Sequence, residues 1–199
     1  MGMKLENIKT KIGRRVGDPL LDTYEDEVQD YFEQAFATLL RKTGDKDLIP
    51  IYLNEIAPSL KRKAFDISPN NRHLSTIEIN KTTFPSLMKI FAIDVLASSA
   101  IQKVFTYIDI ANFELILKNS NVVPPSFQGY WTSDGVDLKI YSSSDSTSLS
   151  IVQVKYIENP IPSDWGTDFV SDMGYGYGFI SDCIELASSL LRRQIGIEG

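Results

Sequence analysis

Hydrophobic positions recur at helical spacing near both ends of the chain. Leu5, Ile8, Ile12 and Val16 share one stripe, which predicts a short helix over Met3 to Val16 that Gly17-Asp18-Pro19 breaks. Val28, Phe32, Ala35, Phe36, Leu39 and Leu40 predict a longer helix opening at Asp22 or Thr23. Its first turn is acidic, Arg41 and Lys42 suit its negative end, and Gly44 supplies a stop. Near the carboxyl end Ile180, Cys183, Ile184, Ala187, Leu190, Leu191 and Ile195 predict a third helix over Phe179 to Ile195. Arg192 and Arg193 close it and Gly196 terminates it. Asp47 to Lys63 also carries helical spacing, with Leu48, Ile51, Ile56 and Leu60 inward and either a kink or a split into two short helices expected at Pro58.

The middle of the chain changes period. Residues 66 to 81 are polar and turn-rich, a candidate hinge. Phe91, Ile93 and Val95 alternate, and residues 102 to 108 are rich in β-formers, which favours two strands turning at Ser98-Ser99-Ala100. The rival reading is one helix from Ser86 to Ser98. Asn112 to Lys118 reads as a short helix. Asp134-Gly135 predicts a hairpin joining Phe127–Thr132 to Val136–Tyr141, with Val136, Leu138 and Ile140 on one face. A polar loop at 142 to 148 leads to a returning strand over Leu149 to Ile157, ended by Pro160 and Pro162. The fold class is therefore α+β: N-terminal helices, an antiparallel sheet or meander in the C-terminal half, and a C-terminal docking helix. The lines fall at 1–66 (helical), 67–158 (mixed, sheet-bearing) and 159–199 (Pro/Gly-rich arm and helix), expected to form one structural unit.

Composition narrows the function. No apolar run reaches the ~20 residues of a membrane helix, and Met1 to Arg15 lacks the apolar stretch of a signal peptide, so the protein is expected to stay where it is made. The net charge of −6 opposes broad binding of nucleic acid, although Arg14-Arg15 and Lys61-Arg62-Lys63 are local basic clusters. One histidine, His73, and one cysteine, Cys183, cannot supply the three or four ligands of a zinc site, and no cofactor is expected. Cys183 falls on an apolar helix face and reads as a core residue. Gly174, Gly176 and Gly178 superficially suggest a phosphate loop but lack its Lys-Ser/Thr. Acid groups such as Glu25-Asp26-Glu27 and Asp168 with Asp172 would serve a metal-dependent hydrolase, yet nothing distinguishes them from helix-start and loop acids. The chain reads as a part that assembles and not as an enzyme; the alternative is a protein-protein interaction module or assembly chaperone, ahead of the hydrolase.

The candidate interface lies at the carboxyl end. Trp165 follows a Pro-rich connector and either folds back on its own sheet or anchors a neighbouring subunit. Tyr175 and Tyr177, set among glycines, can lie flat on a neighbouring surface, and Phe179, Ile184 and Leu191 belong to the apolar stripe that would grip a second copy.

A resemblance follows from these segments. The order is Asp26-Glu-Val-Gln-Asp-Tyr-Phe-Glu-Gln-Ala35, Phe113 to Asn119, Pro125, Gly129-Tyr130-Trp131, the strand Val136 to Tyr141, and Tyr156-Ile157 followed by Pro160, Pro162 and Trp165-Gly166. In this order the chain resembles the neck or ring proteins of tailed bacteriophages, especially the crAss-like short-tailed group. The likeness covers residues 100 to 199 and is only generic over the N-terminal helices. It implies a structural, non-catalytic subunit of the virion, made in the host cytoplasm. Such subunits form a homo-oligomeric ring, often a dodecamer, stacked below the portal protein and meeting other neck or tail proteins. DNA would pass through the ring without specific binding.

Overall fold

The computed structural model describes residues 3–18, 24–43, 54–67, 74–97, 100–119, 128–142, 151–159 and 167–196. Two compact units emerge: Met1–Leu60 with Asn159–Gly199, and Lys61–Glu158. The sequence drew its lines at 66/67 and 158/159. The observed fold is α+β, with four α-helices and seven strands among the described residues.

The first unit holds α1 (Leu5–Val16), α2 (Glu25–Thr43) and α4 (Tyr177–Gln194). The stripe Leu5, Ile8, Ile12 and Val16 is buried as its spacing requires, and Gly17, at φ 85°, takes the left-handed conformation that ends α1. Both α1 and α2 pack on α4. At the heart of the unit, Phe36 of α2 meets Tyr175 and Phe179 edge-on, each with ring centroids 5.3 Å away. Phe32 meets Phe169 the same way at 5.6 Å. Edge-to-face contact sets the positive rim of one ring on the negative face of another, which adds to the burial of each ring.

The second unit is a seven-stranded sheet of order β1-β7-β3-β4-β5-β6-β2. Its strands are β1 (Leu60–Asp66), β2 (Leu74–Glu78), β3 (Leu87–Ala97), β4 (Ala100–Tyr107), β5 (Gln128–Ser133), β6 (Asp137–Ser142) and β7 (Ile151–Glu158). Alternate residues face one core that includes Ile77, Ile93, Phe105, Trp131, Leu138, Ile140 and Val154. Register follows this pattern: Trp131 pairs with Ile140, Ile77 with Leu138, and Ile93 with Val154. A Cβ on Gly129 would lie 2.0 Å from the Phe105 ring, so the core aromatic lies across bare backbone there. The short helix α3 (Ile110–Lys118) buries Phe113, whose ring sits 6.5 Å from that of Tyr141.

Several expectations are corrected. The helix over Asp47–Lys63 does not extend through its end: Ala57–Ser59 is a 3-10 turn containing Pro58, and Leu60–Asp66 is strand β1. The period-two burial of Lys61, Lys63 and Phe65 overrides the helical spacing. Lys63 is held by the Thr83 carbonyl at 2.6 Å and lies near the Phe65 and Phe84 rings. The hinge over 66–81 contains β2, because Ser75 and Ile77 are buried. The sheet is mixed and not a meander: β4 and β5 are parallel, which requires a crossover such as the one carrying α3. β7 pairs with β3 rather than β6. Val136 is 65% exposed at the hairpin, off the face of Leu138 and Ile140. There the Asp134 carboxylate accepts from the Val136 and Asp137 amides and from Lys139 Nζ at 2.6 Å. The Lys139 contact leads in holding the Asp134 pKa low, and Asp134 raises that of Lys139 in return. The strand reading of 86–98 holds over Leu87–Ala97. The helix start at Asp22 or Thr23, Gly44, the 98–99 turn and Pro160 and Pro162 lie outside the described residues, as does nearly all of the 142–148 loop.

Asp94 is buried and paired with Lys155 Nζ at 2.5 Å. Lys155→Met strands that carboxylate and is expected to cost ~3–5 kcal/mol in urea unfolding. Asp94→Leu with Lys155→Met is expected to return to within ~1 kcal/mol of the parent or above it. A single variant as stable as the parent would contradict the pairing.

Candidate interaction site

The start of α4 explains the glycine-tyrosine segment. Glu55 lies against it: its carbonyl accepts from the Gly176 amide at 2.8 Å, and its carboxylate accepts from the Phe179 amide. This carboxylate caps a helix that has no side-chain cap at Gly176 itself. A Cβ on Gly176 would stand 2.2 Å from the Glu55 side chain, and one on Gly178 2.8 Å. The glycines therefore make room for an internal carboxylate at the place where a phosphate loop would receive its ligand.

The preceding turn is tied down by Asp168. Its Oδ1 accepts from the Val170 and Ser171 amides, both at 2.9 Å, and its Oδ2 accepts from the Met3 amide at 2.6 Å. The Ser171 amide leads in holding the Asp168 carboxyl below its ordinary range. Asp172 accepts from the Asp168 amide at 3.0 Å, so this pair of acids organises a turn. Asp109 likewise caps α3 by accepting from the Asn112 amide at 3.0 Å, which lowers its pKa.

The residues expected to grip a neighbour separate into two groups. Tyr175, Phe179, Ile184 and Leu191 are buried within their own unit, at 1%, 0%, 2% and 0% exposure. They do not present an apolar stripe to a second copy, and the docking role expected of them is corrected accordingly. Tyr175 also shares a 2.7 Å hydrogen bond with the Ser59 hydroxyl. The physical reason is that α1 and α2 each supply an apolar stripe of their own, and α4 satisfies both. Of the expected interface residues that are described, Tyr177 alone stays outward, 58% exposed, with Lys11 Nζ 5.3 Å from its ring centroid. Trp165 lies outside the described residues, as does His73. Cys183 is buried in the same core, and burial pushes its thiol pKa well up.

Among the described residues, two further exposed surfaces stand out that sequence reading did not single out as sites. One is a shallow groove of about 410 Å³ along α3, lined by Ile108, Asn112, Leu115, Ile116 and Asn119. Leu115 is 63% exposed there, against the helical rule that long apolar residues turn inward. The other is the end of the helical unit where α1 and α4 finish, with Arg14, Arg15, Arg192 and Arg193 all exposed. Sequence showed both arginine pairs but not that they meet.

Among the described residues no group of three or more His, Cys, Asp or Glu side chains is placed to hold a metal ion, and no helix is long and apolar enough to cross a membrane. No protein-family model matches the chain, and no curated protein matches it.

Asp168→Asn is expected to lower the thermal midpoint at pH 7. The folded carboxyl has a depressed pKa, so its contribution is present above the unfolded value of ~3.9 and fades as pH falls through the folded value. The gap between variant and parent should close in acid; a constant gap would contradict the assignment. Deleting residues 179–199 removes Phe179, Ile184 and Leu191 from the core, each contributing roughly 1.5–3 kcal/mol of burial. Helical circular dichroism should fall by more than the deleted share, because α1 and α2 lose their support. Loss of that share alone would show that α4 is dispensable to the unit.

Proposed function

We propose that this chain is a ring-forming structural subunit of a bacteriophage neck, a head-to-tail connector that stacks below the portal and surrounds the DNA exit channel. It is a virion component made in the host cytoplasm. The resemblance noted from the sequence supports this reading, and its segments over 128–142 and 151–159 fall on three strands of one sheet, β5, β6 and β7.

The observation that carries the proposal is what the conspicuous polar residues do. Glu55, Asp109, Asp134 and Asp168 each accept hydrogen bonds from backbone amides at a helix start, a hairpin or a turn. Their carboxylates hold the chain in shape, as suits a part that must present a fixed surface to its neighbours. The apolar stripe of α4 is committed to its own unit, so the ring contact falls to exposed faces. A second reading, a module that captures one partner segment, is favoured by the open groove beside Leu115 on α3.

The test is the mass of the full chain in solution, alone and mixed with the portal protein of the same particle. A closed high-order ring visible by electron microscopy is expected. A monomer under both conditions would overturn the neck reading, and a one-to-one complex with a single partner would favour the module.

A further inference from the structure

The helical unit carries two surfaces of opposite charge. The first is the arginine end. Arg192 donates from Nε to the Arg15 carbonyl at 3.0 Å and from Nη2 to the same oxygen. This bond joins positions 177 residues apart and sets the last turns of α1 and α4 side by side. Two arginines at each helix end offset that helix's own negative pole, an effect confined to the last turn. Bringing both ends together concentrates four like charges, and with the Arg192 fork on a carbonyl, Arg14, Arg15 and Arg193 stand exposed beside it.

The second surface is on α2. Glu27, Asp30 and Glu33 are all exposed and follow one another at a spacing of three. Side chains so spaced share a helix face, and like charges there destabilise the helix that bears them. Asp30 and Glu33 also lie beyond the first turn, where the positive helix pole would reward an acid. The neutral Gln29 donates to Glu33 Oε1 at 3.2 Å, and no bridge to a cation appears in this row among the described residues.

We infer that the arginine end of one copy docks against the Glu27–Asp30–Glu33 row of the next. Guanidinium groups bind carboxylates in paired hydrogen bonds. Two different patches that fit each other make a heterologous contact, the kind that closes into a ring when the rotation allows. The inference rests on the reading that copies of this chain associate. A phosphate backbone is the competing polyanion. The helical unit bears more acids than bases overall, which opposes laying a polyanion along it and favours a short, local contact with carboxylates.

The experiment uses the full chain and two charge-reversed variants, Arg14→Glu/Arg193→Glu and Asp30→Lys/Glu33→Lys, each checked for unchanged circular dichroism. These side chains are exposed, so the fold should persist, and Arg192 is left in place. Mass distributions are measured at about 0.05 M and about 0.5 M salt, where screening differs several-fold. The parent should assemble at low salt and weaken at high salt, and each variant alone should associate at least about tenfold more weakly. Mixing the two variants should restore assembly, because each acidic end then faces a basic row. Variants that assemble like the parent would overturn this contact while leaving the neck reading intact. A parent that stays monomeric, with or without the portal protein, would overturn both. Loss of binding to a short DNA duplex in Arg14→Glu/Arg193→Glu with assembly unchanged would assign the arginines to phosphate instead.

Discussion

The aromatic contact between α2 and the start of α4 is the interaction on which the rest depends. Phe36 touches Tyr175 and Phe179, Phe32 touches Phe169, and all five rings are buried. The segments that meet come from opposite ends of the chain, so this unit forms only when both ends are present. Everything near the junction serves it. Glu55 caps α4, Asp168 ties Met3 to the turn before it, and Ser59 meets the Tyr175 hydroxyl. Bare backbone at Gly176 and Gly178 lets Glu55 approach.

The sheet unit follows as an insertion. It begins with β1 and ends with β7, and these strands are neighbours in the sheet. The Lys61 ammonium and the Glu158 carboxylate come within 4.0 Å where the insertion opens and closes. An insertion whose ends lie together can be added to a helical frame with little distortion of either part. With the apolar stripes spent inside each unit, the described surface includes charged helix faces and the groove of α3. Electrostatic matching between surfaces favours specificity and orientation over raw affinity.

Much of this was legible in the sequence where one period dominates. The stripes of α1, α2 and α4 are unambiguous, and so is the alternation of Leu138 and Ile140 in β6. The stretch around Leu60 was not, because Leu48, Ile51, Ile56 and Leu60 fit a helix until sheet pairing claims the last of them. β2 hid in a polar segment, since its inward residues are Ser75 and Ile77 and only one is apolar. Strand partners were invisible too: nothing local says that β7 passes over β6 to reach β3. The larger limit concerned the apolar face of α4. A stripe reads the same whether it meets its own fold or another copy, and only the three-dimensional pairing with Phe36 decides. The arginine end was unreadable for a related reason, as its halves are separated by nearly the whole chain.

The apolar face of α4 is covered by its own chain. The single thiol, Cys183, sits fully buried on that helix and reports on it directly. The measurement is the rate at which a water-soluble thiol reagent modifies native Cys183 across a wide range of protein concentration. A rate that stays slow and independent of concentration until the protein unfolds is expected. A thiol that becomes reactive on dilution would mean that a neighbouring copy covers the helix, and the account would fail.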